Sequence, residues 1–128
     1  MSSFRRALRV ITALYWVTIF VLTHIPRVPQ VPGPQLSDKL IHAVAYFILA
    51  LLLMCWLGPK WAWRVLAIGL IYGAIDELLQ IPVGRGCELA DWVADGIGTA
   101  CAVLSHVLVA RLLDRRRAQA IVVSHNGR

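Results

Sequence analysis

Four long apolar runs, separated by short polar or prolyl segments, dominate the pattern of the chain. They cover residues 7–25, 40–57, 61–81 and 92–113. Each run is long enough for a helix that crosses a hydrocarbon core of roughly 30 Å at about 1.5 Å per residue. The pattern therefore predicts an all-α fold, an integral membrane bundle of four transmembrane helices within residues 1–114.

Proline and glycine mark the breaks between the runs. Four prolines fall within residues 26–34, the second run ends at Gly58-Pro59, and the third stops at Pro82. Proline lacks a backbone donor and clashes with the preceding helical turn, so the helices are expected to end there. Residues 115–128 are predicted to form a basic cytoplasmic tail that is solvated or rests on anionic lipid.

The first run follows three arginines, as the apolar core of a signal peptide would. It spans about 19 residues, however, and no small-x-small cleavage site precedes the prolines. A retained transmembrane helix is therefore predicted.

Composition supports the membrane interpretation. Of the 128 residues, 59% are hydrophobic and 16% are charged, whereas a soluble domain carries about 25% charged residues. The net charge of +6 raises the question of a nucleic-acid partner. The basic residues lie at the ends of the apolar runs and form no basic stripe, so no nucleic-acid partner is predicted. The predicted partner is the lipid bilayer.

The lysines and arginines predict the orientation. Ten of the 13 lie near the N-terminus, at or near the loop between the second and third runs, or near the C-terminal end, and the other three are Arg27, Lys39 and Arg85. Cytoplasmic loops of membrane proteins are rich in lysine and arginine. Both termini are therefore expected to be cytoplasmic, in a multi-pass protein of the cell (inner) membrane.

The acidic residues have the opposite distribution. Six of the seven lie toward the predicted outer end: Asp38, Asp76, Glu77, Glu88, Asp91 and Asp95. Carboxylates contribute little to topology, so this asymmetry needs another cause.

Polar residues on the last three helices recur every four positions, which places each set on one helical face. The sets are Asp38, His42 and Tyr46 on the second helix, Tyr72, Asp76 and Gln80 on the third, and Asp91, Asp95 and Thr99 on the fourth. Because an intramembrane carboxylate costs up to about 3 kcal/mol, these groups are expected to face the bundle interior or a wet cavity. The three polar faces are thus predicted to meet at the outer end.

Small residues accompany the polar faces at the same spacing. They are Gly69 and Gly73 on the third helix, and Ala94, Gly98 and Ala102 on the fourth. Such residues let helix backbones approach closely, here within the bundle or between protomers.

The polar cluster supplies the candidate site residues. Candidate catalytic residues are His42, Glu77, Asp91 and Asp95, and candidate binding residues are Asp38, Lys39, Tyr46, Asp76, Gln80 and Arg85. The alternative is a self-satisfied network that only clamps the helices together. Intramembrane ionisable groups more often mark a functional site.

The same residues carry a resemblance to a known family. Over about residues 9–112, the order and spacing of these residues resemble the VanZ-like bacterial membrane proteins. The residues that carry the resemblance are Asp38-Lys39 with His42 and Tyr46, then Asp76-Glu77 with Gln80, Gly84-Arg85, Asp91, Asp95 and Gly98. The resemblance implies a role in the cell envelope, since the founding member is associated with resistance to teicoplanin. It implies no defined reaction. Many members carry asparagine where Asp95 stands here.

Two classes of function follow. One is a membrane-embedded enzyme that uses carboxylate and histidine acid–base or metal-assisted chemistry on a lipid-linked or envelope substrate, with Arg85 and Lys39 holding its phosphate or carboxylate. No cofactor is evident, and a divalent cation is the one candidate, with Mg²⁺, Ca²⁺ or Mn²⁺ favoured over zinc by an oxygen-rich site. The other is a non-enzymatic protein that binds a cell-wall precursor or an envelope protein. Metal identity and oligomeric state stay open.

Overall fold

Four α-helices make up the fold in the computed structural model, which describes residues 3–25 and 36–126. They are α1 (Ser3–Thr23), α2 (Leu36–Leu57), α3 (Ala62–Gln80) and α4 (Leu89–Asn126). Each is long and apolar enough to cross a membrane, and the described residues contain no strand. The chain is a multi-pass, all-α membrane protein, as the apolar runs predict.

The predicted prolyl loop lies outside the described residues, and the helix bounds differ from the predicted ones mainly at the end of α4. The fourth apolar run stops near residue 113, but α4 continues through the basic tail to Asn126. Arginine, alanine and glutamine favour helix, and neither proline nor glycine interrupts the tail before Gly127. At about 1.5 Å per residue the helix exceeds a bilayer core, so its last turns project beyond it.

Glycine and proline end the two central helices. After α2, Gly58 has φ +86° and Pro59 begins a short 3-10 turn that leads into α3. After α3, a second 3-10 turn over Ile81–Val83 contains Pro82 and is closed by Gly84 with φ +76°. Both glycines occupy the left-handed region that side chains disfavour, so the chain reverses within a few residues.

The helix order brings the polar residues to one end of the bundle. We define the acidic end as the end where α1 and α3 finish and α2 and α4 begin, and the basic end as the opposite one. At the basic end, the guanidinium of Arg64 lies 4.1 Å from the Trp61 ring centroid and that of Arg9 lies 5.1 Å from the Trp56 ring centroid. Such cation–π pairs suit the boundary between lipid and water.

The core lies between α2, α3 and α4. Its most buried apolar side chains include Tyr46, Leu49, Met54, Val65 and Ala102. Large apolar side chains on the outward faces stay exposed, among them Leu14 and Val17 on α1, Ile71 on α3 and Leu104 on α4. Exposed aliphatic side chains over the whole bundle surface are those a bilayer would solvate.

Small residues set the distance between the helices at the acidic half. A side-chain carbon on Gly98 would collide with the backbone carbonyl of Ala43, so α2 and α4 touch main chain to main chain. Gly69 lies against Thr99, and Gly73 lies against Asp95. The predicted small-residue ridges therefore pack inside the bundle.

Candidate functional site

His42 lies at the centre of the acidic end. It is in the second turn of α2, next to the Ala43–Gly98 contact, and it is 5% exposed. Its Nδ1 lies 3.0 Å from Asp95 Oδ1, and its Nε2 lies 3.9 Å from Asp91 Oδ2. Because Asp91 and Asp95 are four residues apart on α4, one imidazole faces both carboxylates.

Lys39 closes the site on the side of the loop that precedes α4. Its Nζ donates hydrogen bonds to Asp91 Oδ1 at 2.9 Å and to Glu88 Oε2 at 3.1 Å. Asp91 is 3% exposed, so its negative charge is compensated by the Lys39 ammonium and not by water. Lys39, Asp91, His42 and Asp95 thus form a connected chain from the loop into the core.

Glu77 reaches the same centre from α3. Its Oε2 accepts a hydrogen bond of 2.8 Å from the backbone N–H of Glu88. Its Oε1 is buried and has no hydrogen-bond partner among the described residues. One ligand atom from each of His42, Glu77 and Asp95 lies within 4.8 Å of the others, and all three side chains are buried.

A second polar group surrounds Asp76, one residue before Glu77. The Thr23 hydroxyl donates to Asp76 Oδ1 at 3.0 Å, and Gln80 Nε2 donates to Asp76 Oδ2 at 3.1 Å. His24 Nδ1 lies 3.8 Å from the same Oδ1. Asp76 is 0% exposed, and these contacts tie the end of α1 to α3.

Two tyrosines and a threonine lie deeper in the bundle. The rings of Tyr46 and Tyr72 stack with centroids 5.7 Å apart, and Trp16 meets Tyr72 edge-on at 5.1 Å. The hydroxyls of Tyr46, Tyr72 and Thr99 are buried without a hydrogen-bond partner in the described part of the chain. The floor of the site therefore holds unused donors and acceptors.

A cleft of about 360 Å³ opens beside this cluster, between α1 and α2. The described residues on its walls include Thr23 and Ile25 from α1 and the turn after it, Asp38, His42 and Tyr46 from α2, and Arg85 from the loop after α3. Its size lies at the lower end of the range for small-molecule sites. Of the groups in the cluster, His42 is the one whose imidazole faces both the buried carboxylates and the cleft.

Arg85 forms the rim of the cleft. Its Nη1 donates a long hydrogen bond of 3.4 Å to the Ile25 carbonyl, and its Nε is buried without a partner among residues 3–25 and 36–126. No carboxylate within those residues lies at ion-pair distance from it. The guanidinium thus keeps donors for a further group.

An apolar groove adjoins the cleft farther along α1 and α2. It is lined by Tyr15, Leu40, Ile41, Val44 and Ala45, and it shares Ile41 and Ala45 with the cleft. Its volume is also about 360 Å³. The groove thus continues the cleft, which has polar groups among its apolar walls, into a region lined mainly by apolar side chains.

The structure places all ten candidate residues at the acidic end. His42, Glu77 and Asp95 meet at one point, and Asp91 joins them through His42. Lys39 contacts Asp91 and Glu88. Asp76 and Gln80 belong to the second polar group, and the cleft is lined by Asp38, Tyr46 and Arg85. Of these two candidate cations, Lys39 therefore pairs with carboxylates and Arg85 faces the cleft.

Sequence reasoning missed the contribution of α1. The predicted site uses the last three helices. In the structure, however, Thr23 of α1 donates a hydrogen bond to Asp76, and two further α1 residues, Ile19 and Leu22, line the cleft. The signal was the Thr23-His24 pair, two polar residues that end the first apolar run at the same end as the acids.

Comparison with known proteins adds no relative. No protein-family model, no curated protein and no solved structure matches the chain.

Proposed function

We propose that this membrane protein binds an amphipathic ligand with an anionic headgroup, such as a lipid-linked cell-wall precursor, in the cleft between α1 and α2. The observation that carries the proposal is that the cleft, with His42 and Arg85 among its apolar walls, meets the apolar groove at Ile41 and Ala45. A ligand with one charged end and one hydrocarbon end matches that pair of environments.

Arg85 supports an anionic headgroup. A guanidinium offers five donors in a planar fork, which suits phosphate or carboxylate oxygens. Toward residues 3–25 and 36–126, Arg85 uses one of them, in a long bond.

The lip of the cleft supports entry from the bilayer. Leu22 and Ile41 are on its walls, and they are 59% and 65% exposed on the outward surface of two helices that would face lipid. A lipid could therefore slide its chain into the groove without leaving the hydrocarbon phase.

The resemblance to VanZ-like proteins supports a cell-envelope setting for this site. With the N- and C-termini in the cytoplasm, as the lysine and arginine count favours, the acidic end faces outward in the cell (inner) membrane. Glycopeptide antibiotics act on that side, so we propose that the protein lowers sensitivity to teicoplanin through its ligand or through an envelope partner.

A second candidate function is catalysis on the bound headgroup. One specific observation favours it. Glu77 and Asp95 each have a buried carboxylate oxygen that lacks a hydrogen-bond partner among the described residues, and His42, which is close to both residues, lines the cleft. Such a group can transfer protons or hold a cation that polarises a phosphoryl or carbonyl oxygen.

Ligand binding is tested with a polyprenyl phosphate and the matching polyprenyl alcohol, added to the purified protein in detergent and followed by native mass spectrometry. We expect the phosphate to bind, and we expect the affinity for the alcohol to be lower by about tenfold or more. Arg85→Gln should reduce phosphate binding to the level of the alcohol. Arg64→Gln, at the basic end, is the matched control and should bind like the unchanged protein.

Equal binding of phosphate and alcohol, or unchanged binding by Arg85→Gln, would reject the anionic headgroup. The envelope role is tested separately, by expressing the chain in a teicoplanin-sensitive bacterium and measuring the inhibitory concentration. A rise that Arg85→Gln abolishes at equal membrane abundance supports the proposal, and no rise counts against it.

A further inference from the structure

Two buried carboxylate oxygens at the acidic end have no hydrogen-bond partner among the described residues. Glu77 Oε1 and Asp95 Oδ2 are both inaccessible to solvent and receive no hydrogen bond from any described residue. Glu77 is 2% exposed and Asp95 is 0% exposed. Buried polar atoms in native proteins almost always have a partner, so these two need one.

The charges around these oxygens show what kind of partner is missing. Lys39 contacts Asp91 and Glu88, and Arg85 contacts the Ile25 carbonyl, so neither cation reaches Glu77 or Asp95. His42 contacts Asp95 and carries at most one positive charge. Two carboxylates in a bilayer-embedded core are best compensated by a doubly charged group.

The geometry fits a metal ion. Ligand atoms of His42, Glu77 and Asp95 lie within 4.8 Å of one another. Three atoms up to 4.8 Å apart have a central point that is at most about 2.8 Å from each, so a cation at about 2.1 Å needs each ligand to move by up to about 0.7 Å. The hydrogen bond from the Glu88 N–H already holds the other oxygen of Glu77 in place.

We propose that His42, Glu77 and Asp95 together bind one divalent cation. One imidazole and two carboxylates form an intermediate-to-hard ligand set, which suits Mn²⁺ or Mg²⁺ and lacks the thiolates and further imidazoles that favour zinc. The inference goes beyond the proposed ligand binding and does not depend on it, because all three ligands belong to the protein.

A neighbouring group of acidic residues is a weaker site. Asp38, His42 and Asp91 also present ligand atoms within 4.8 Å of one another. There, Asp91 already binds the Lys39 ammonium at 2.9 Å, so a metal ion would have to compete with a fixed positive charge. In the buried triad the carboxylates contact no lysine or arginine among the described residues, only the His42 imidazole, and this difference selects it.

The cation site also explains the position of the glycine that faces Asp95. A side-chain carbon at Gly73 would lie 3.1 Å from Asp95 Oδ2, the oxygen that lacks a partner. Glycine leaves that oxygen room to rotate toward the cation. The cation would lie behind His42 as seen from the cleft, where it can polarise a headgroup only through the imidazole or after a small movement.

The test uses the full chain in detergent, stripped with a chelator, without added lipid, and titrated with Mn²⁺. We expect electron paramagnetic resonance to report one tightly bound Mn²⁺ per chain and a coupling to one imidazole nitrogen that changes when the histidines are labelled with ¹⁵N. Glu77→Gln and Asp95→Asn should each weaken Mn²⁺ binding about tenfold or more. Asp114→Asn, an exposed carboxylate on the same helix as Asp95, should bind like the unchanged protein.

Folding failure of a ligand variant does not block the test, because the nitrogen coupling is measured on the unchanged chain. His106→Gln removes a histidine about 16 Å farther along α4 than Asp95 and should leave the coupling intact. Absence of stoichiometric Mn²⁺, or Mn²⁺ without nitrogen coupling, overturns the site. Either result leaves the lipid-binding experiment untouched, so the two proposals fail separately.

Discussion

Gly98 on α4 and Ala43 on α2 are in direct backbone contact, with no room for a side-chain carbon between them. This contact fixes the depth at which α2 meets α4. His42 precedes Ala43, and Asp95 lies one turn before Gly98, so the same contact sets the 3.0 Å distance between the imidazole and the carboxylate. The packing of the bundle and the geometry of the site therefore depend on one glycine.

Replacing Gly98 with alanine should destabilise the protein. The new methyl group would overlap the Ala43 carbonyl, which is backbone and cannot rotate away, and overpacking of this kind costs about 1–3 kcal/mol or more. Thermal unfolding in detergent measures the loss. Gly96→Ala is the matched control, because its methyl meets only the mobile end of Leu70 at 3.0 Å. Equal stability of the two variants would contradict the close contact.

Removing the Thr23 hydroxyl should loosen α1 from the bundle. Thr23→Val keeps the shape of the side chain but leaves one oxygen of the fully buried Asp76 without its 3.0 Å hydrogen bond. A hydrogen bond to a charged group contributes about 1.5–3 kcal/mol, although the hydroxyl also lies 3.1 Å from the Phe20 carbonyl. Limited proteolysis and thermal unfolding should show a less stable α1.

The control for this change is Thr18→Val on the same helix. The Thr18 hydroxyl bonds only within its own helix, to the Leu14 carbonyl at 2.9 Å, so its loss should have little effect. A stability loss at position 18 as large as at position 23 would show that helix propensity, and not the contact with Asp76, is responsible.

Lys39 and Asp91 should behave as a coupled pair. Lys39→Met leaves the buried Asp91 carboxylate without its ammonium partner and should lower the unfolding temperature clearly, whereas Lys60→Met at the basic end should not. The double variant Lys39→Met with Asp91→Leu removes both charges and should recover part of the loss. Additive losses in a double-mutant cycle would argue that the two side chains act independently.

The native cysteines provide a test of orientation. Cys87 is exposed in the loop between α3 and α4, at the acidic end, while Cys55 and Cys101 are exposed within predicted membrane spans. In intact cells, a membrane-impermeant maleimide should label Cys87 alone, and Cys87→Ser should abolish labelling. Labelling that appears only after the cells are opened would reverse the proposed orientation.

Much of the fold follows directly from local pattern. The apolar runs predict four helices, because a bilayer needs about 20 apolar residues per span, and Gly58-Pro59 and Pro82 mark the breaks that the structure has. The end of α4 was not predictable from hydropathy. Its last turns lie beyond the fourth apolar run, where three arginines, two alanines and a glutamine favour helix and no proline or glycine stops it before Asn126.

Local sequence pattern was enough to identify the four spans and the end of the bundle at which the acids gather, since the spacing of four places Asp91 with Asp95 and Asp38 with His42 on one face of each helix. Which residues of different helices meet depends on the three-dimensional packing of the bundle. The Gly98–Ala43 contact joins His42 to Asp95, α3 brings in Glu77, and Thr23 of α1 binds Asp76. Periodicity describes the face of a single helix, and the rotation and depth of one helix against another depend on how their side chains pack.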